Sequence, residues 1–74
     1  MPMTESAAIG LVRRELAKAL KKHGPIVNNG VGLAAIVEEV GELAEALLEG
    51  RDEGVVLEVS QAGALAVRFL MDCS

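Results

Sequence analysis

Seventy-four residues bound this chain to one domain, spanning 1–74; 51% of the side chains are hydrophobic and Phe69 is the only aromatic. Eleven acids outnumber seven bases, a formal charge of −4, and there is one histidine, His23, and one cysteine, Cys73. These counts exclude an intrachain disulfide, a cysteine-rich zinc site and histidine-based metal or triad chemistry, and an acidic chain without aromatic platforms is a poor nucleic-acid binder.

In chain order, residues 1–5 carry neither a basic n-region nor an apolar h-region, so no signal peptide is expected, and 1–4 should be flexible. The first helix is predicted over about 5–22. Ile9, Val12, Leu16 and Leu20 recur at helical spacing, and Thr4 or Ser6 is placed to cap its start. Gly24-Pro25 is a stop signal, glycine suiting the left-handed position and proline ending the helix. His23 at that end fits a capping role or a nucleotide contact. Residues 24–30 read as a loop, with Asn28 and Asn29 as turn formers.

The second helix is predicted over about 31–49. Leu33, Ile36, Val37, Val40, Leu43, Ala44, Leu47 and Leu48 share one stripe, and Gly50 closes it. The third is predicted over about 53–72, with Asp52 as its cap. Glu58, Gln61, Arg68 and Asp72 fall on one narrow stripe, and nearly every other residue is apolar. Small Ala62, Gly63, Ala64 and Ala66 permit close helix approach. Two short helices cannot cover that much apolar surface, and a core of this size barely offsets ordering costs of roughly 1.5 kcal/mol per residue. The expected architecture is therefore all-α: a short antiparallel bundle of three helices per chain, completed by homo-oligomerisation (dimer or tetramer) through helix three. No stretch approaches the ~20 apolar residues of a membrane span. A lone cysteine with no export signal points to the cytoplasm.

The charges are segregated. Arg13, Arg14, Lys18, Lys21 and Lys22 make helix one basic, whereas residues 38–58 hold eight of the eleven acids. Like charges at i,i+3 and i,i+4 in Glu38, Glu42, Glu45 and Glu49 are mildly destabilising. A solvated face, salt bridges to helix one, or a bound cation would each relieve them. Glu39 and Glu42 pair at i,i+3 on helix two, and Glu58 and Gln61 do so on helix three. If the helices pack antiparallel, three carboxylates and an amide oxygen face one another, a hard-oxygen set suited to Mg²⁺ or Mn²⁺. Ala35 and Ala46, on the Glu39/Glu42 side, leave room for a ligand or a neighbouring helix.

The run Val37-Glu38-Glu39-Val40-Gly41-Glu42-Leu43-Ala44-Glu45-Ala46-Leu47 resembles the EExxE helix of the MazG-like all-α nucleoside triphosphate pyrophosphohydrolases. That family follows EExxE with ExxD on the next helix. Fifteen residues separate Glu42 from Glu58, which suits the family's spacing, and 57–69 is similar to small phage-type members. The likeness spans about 23–70. It implies hydrolysis of a (d)NTP to (d)NMP and pyrophosphate with Mg²⁺ or Mn²⁺ bridging phosphate oxygens. Glu39, Glu42 and Glu58 would be metal ligands, and Glu38 would orient or deprotonate the water. Gln61 stands where the family has aspartate, which removes one charge from the cage. The family's fourth helix has no counterpart before Ser74, so phosphate contacts would fall to Arg68 first, with Lys21, Lys22 or Arg51 as further candidates. Arg68 could instead pair with Asp72 at i,i+4. The alternative is a non-catalytic helical interaction module that keeps the fold without turnover.

Overall fold

Thr4 starts α1 (Glu5–Lys22): its hydroxyl accepts from the Ala7 N–H at 3.1 Å, satisfying a donor the helix cannot. The computed structural model describes residues 2–51 and 54–73. Lys21 and Lys22 lie in the last turn of α1, where positive charge complements the helix dipole. His23 caps that end in an extended conformation, its N–H donating to the Ala19 carbonyl. The expected left-handed Gly24 is not used; positive φ occurs, among the described residues, only at Gly50 and Gly54.

Asn28 caps α2 (Asn29–Leu48), accepting from the Val31 N–H at 3.0 Å, so this helix begins earlier than its apolar pattern suggested. At its other end Gly50 takes φ +71. The Gly50 N–H then reaches the Leu47 carbonyl, and the Arg51 N–H reaches that of Ala46. These are the paired bonds of a Schellman cap, and they explain the glycine. Helix α3 (Val55–Cys73) follows Gly54. The expected cap at Asp52, and the expected helical start at Glu53, lie outside the described residues.

The chain is all-helical among the described residues, and none of its helices is long and apolar enough to cross a membrane. Helix α3 is central. Both α1 and α2 pack on it. Its C-terminal turns also hold the 23–28 linker: Arg68 Nη2 donates to the Gly24 carbonyl at 2.8 Å, and Asp72 Oδ2 accepts from the Ile26 N–H at 2.9 Å. Asp72 is thus engaged with backbone, and no Arg68–Asp72 ion pair forms.

Small residues set the packing. Among the described residues, only Ala46 and Ala64 are buried apolar side chains, and the other buried residues are Glu15, Gly32, Ser60 and Arg68. Val12 of α1 fits against Gly63, and Phe69 of α3 against Gly32. Of the two alanines expected to leave room for a ligand or a neighbouring helix, Ala46 is buried at 2% exposed, whereas Ala35 is half-buried and lines a cleft of about 260 Å³. The α2 stripe divides. Ile36 and Leu43 are half-buried, while Leu33, Val37, Val40, Leu47 and Leu48 face outward. The inward face instead carries Gly32, Ala35, Glu39 and Ala46.

Two glycines should respond oppositely to alanine. A Cβ at Gly32 would sit 2.8 Å from the Phe69 ring and 3.0 Å from Ile26 Cγ2. Overpacking of that kind costs about 1–3 kcal/mol, which outweighs the helix-propensity gain. Gly10 has nothing within 4 Å, so Gly10→Ala should stabilise by about 0.5–1 kcal/mol. Urea unfolding of the two variants checks both signs.

Candidate functional site

Helix α3 presents two chemistries, an acidic one near its start and a basic one nearly three turns later. Toward α2 it presents Glu58, a half-buried residue whose Oε2 is fully enclosed and has no hydrogen-bond partner among the described residues. A buried carboxylate oxygen left unpaired is costly and calls for a donor or a cation. Glu39, half-buried on the inward face of α2, is its acidic neighbour. Burial pushes the Glu39 carboxyl up from the ordinary carboxylate value, and the charges of Glu42, Glu58 and Glu38 push it further in the same direction. Glu38 and Glu42 are exposed.

Toward α1 lies a cleft of about 400 Å³. Lys18, Lys22, His23 and Arg68 supply its basic and polar lining, Leu57, Ala64 and Leu65 its apolar lining, and Glu39 also borders it. Arg68 is 9% exposed, and its Nε is buried without a partner while Nη2 holds Gly24. Its side chain also lines a second cleft, of about 260 Å³, beside Pro25 to Asn28. Arg68 and Lys22, both expected to contact phosphate, border the same cleft.

The four expected metal ligands are not drawn into a closed cage. Among the described residues, no three histidine, cysteine, aspartate or glutamate side chains form a group able to hold a metal ion. Gln61 Nε2 instead donates to Glu15 Oε1 on α1 at a long 3.4 Å.

Glu15 is the residue that sequence reasoning passed over. It is 8% exposed, borders the cleft, and accepts from Lys18 Nζ at 3.2 Å as well as from Gln61. The available signal was its position: Val12, Leu16 and Ala19 surround it on the inward face of α1, so a carboxylate there must be paired to be tolerated. The chain has no match among family models, curated proteins or solved structures. The likeness to the MazG-like family thus stands on the chain's own residues.

Proposed function

We propose that this chain is a MazG-like, Mg²⁺-dependent nucleotide pyrophosphohydrolase, working as an antiparallel three-helix protomer within a cytoplasmic homo-oligomer. The observation that carries the reading is the buried, partnerless Glu58 oxygen beside Glu39, on the same helix that brings Arg68 to a basic cleft. A carboxylate pair, of which Glu39 borders a cleft that also carries Lys18, Lys22 and Arg68, is an arrangement a metal-bound polyphosphate would complete.

The donors are chemically suited to a hard divalent cation, since all are oxygens. Glu39, Glu42 and Glu58 would hold it, with the Gln61 amide oxygen as a neutral fourth donor. When bound, Mg²⁺ or Mn²⁺ neutralises phosphate oxygens and lowers the cost of charge developing on them. Lys22 and Arg68 bind the triphosphate from the cleft side. Glu38 orients a water molecule and takes its proton as the oxygen attacks the α-phosphorus. The α–β phosphoanhydride bond breaks, giving a nucleoside monophosphate and pyrophosphate.

The alternative reading is a non-catalytic helical interaction module. It is favoured by the bond from Gln61 to Glu15, which gives Gln61 a structural use. Pyrophosphate release from a panel of NTPs and dNTPs, with Mg²⁺ or Mn²⁺, separates the two. The enzyme releases pyrophosphate and loses that activity in Glu42→Ala. No release from any substrate, together with no metal-dependent rise in melting temperature, selects the module.

A further inference from the structure

The outward face of α2 carries a regular seam. Leu33, Val37, Val40, Ala44 and Leu47 follow one another at spacings of four, three, four and three, and all are exposed. Val37 is 63% exposed and Leu33 57%. This is the heptad repeat by which helices pack in pairs. We infer that a second copy of this chain docks on this α2 seam, helix against equivalent helix; the inference rests on the self-association proposed above and names its contact surface.

Three observations select this occupant. The first is area. A compact monomer of 7.7 kDa should expose about 4,300 Å², whereas this chain exposes 5438 Å². The surplus of roughly 1,100 Å² is on the scale of the ~800 Å² that each partner buries in a standard interface.

The second is charge. In a paired seam the flanking positions decide which partner is accepted. Here they are Ala34, Ile36, Gly41, Leu43 and Leu48, all uncharged. The α2 acids Glu38, Glu39, Glu42, Glu45 and Glu49 all lie off the seam and its flanks. Two copies of an acidic helix therefore meet without opposing carboxylates, and no charge code directs the seam to a different chain. A self-complementary patch of this kind closes as a two-fold pair.

The third is continuity. Helix α3 also exposes apolar residues, among them Val56 and Val59. Its small central position, Gly63, is already occupied by Val12 of α1. The α2 seam runs without such an interruption. None of the seam residues lines the α1–α3 cleft, so docking there leaves the cleft lining untouched.

Light scattering at micromolar concentration is expected to give at least twice the chain mass. Val40→Lys should weaken association by roughly 30-fold or more, the scale of a central interface residue, whereas Val59→Lys on α3 should leave it within a few-fold of wild type. Should the Val40 variant lose its fold along with its partner, crosslinking still decides. Val40→Cys in a Cys73→Ser background places a thiol at the middle of the seam, and oxidation should yield a covalent dimer with helicity retained. A wild-type monomer would overturn both this inference and the self-association reading. An oligomer that resists Val40→Lys, dissociates with Val59→Lys and gives no Val40 crosslink would overturn this inference alone.

Discussion

Glu39→Gln is expected to raise the melting temperature of the metal-free chain at neutral pH while removing the further rise that the proposed Mg²⁺ binding should give the wild type. Burial, then Glu42, Glu58 and Glu38, hold the Glu39 carboxyl above its ordinary value. The folded chain therefore keeps this proton to higher pH than the unfolded chain does. Stability from this group falls as pH rises through the unfolded value and on through the raised folded value, and the full penalty is present at neutral pH. The amide removes a charge that the cluster opposes, so wild type and variant should converge at low pH, where the Glu39 carboxyl is protonated in both the folded and the unfolded chain. The same substitution deletes a proposed metal ligand. Even residues one layer outside a metal shell cost about 10–100-fold in affinity or activity when replaced, so pyrophosphate release should fall by at least that factor. Melting curves across pH, with and without Mg²⁺, read both effects. A variant no more stable than wild type at pH 7 would show that the acids around Glu39 do not strain the fold. A retained Mg²⁺ response would remove Glu39 from the ligand set.

That opposition between stability and site explains which parts of the molecule were legible in the sequence. The helices were, because Ile9, Val12, Leu16 and Leu20 repeat at one period and Gly50 sits where only a left-handed residue closes the cap. Helix edges were read less well. Asn28 looked like a turn former, yet its side chain starts α2, since asparagine serves turns and caps by the same short-range hydrogen bond. The inner and outer faces of α2 were not legible at all. With apolar residues over more than half its circumference, composition cannot say which part turns inward. Packing decided that, and it placed small Ala46 and Gly32 inside because they let α3 approach. Glu15 was missed for a related reason: its partners, Lys18 and Gln61, sit one turn away and 46 residues away, and only the first separation is visible along the chain.

Arg68 carries the largest expected effect on stability. Its guanidinium donates to the Gly24 carbonyl, and its stem lies between the two clefts. Arg68→Ala should destabilise by about 2–3 kcal/mol, from two methylenes at ~0.8 kcal/mol each and one hydrogen bond near 1 kcal/mol. The bond counts at the low end of its range because Gly24 is exposed and water can replace the guanidinium. Arg68→Met should behave differently. Methionine keeps the stem's volume and removes a nine-tenths-buried charge whose Nε has no partner. Replacing a buried charge by an apolar residue of similar size is often neutral or better, so Arg68→Met should unfold within about 1 kcal/mol of wild type. If the cleft binds the triphosphate, this folded variant should nevertheless lose nucleotide affinity, with Lys22→Ala showing the same direction. Urea unfolding and titration with a fluorescent nucleotide separate the two roles. Equal destabilisation by methionine and alanine would show that the guanidinium, not the stem, secures the linker. Unchanged nucleotide affinity in folded Arg68→Met would remove Arg68 from the binding site. The two variants differ because the Arg68 stem stabilises the fold, whereas its guanidinium should add little over an apolar side chain of similar size and puts positive charge on the cleft wall where a polyphosphate would lie.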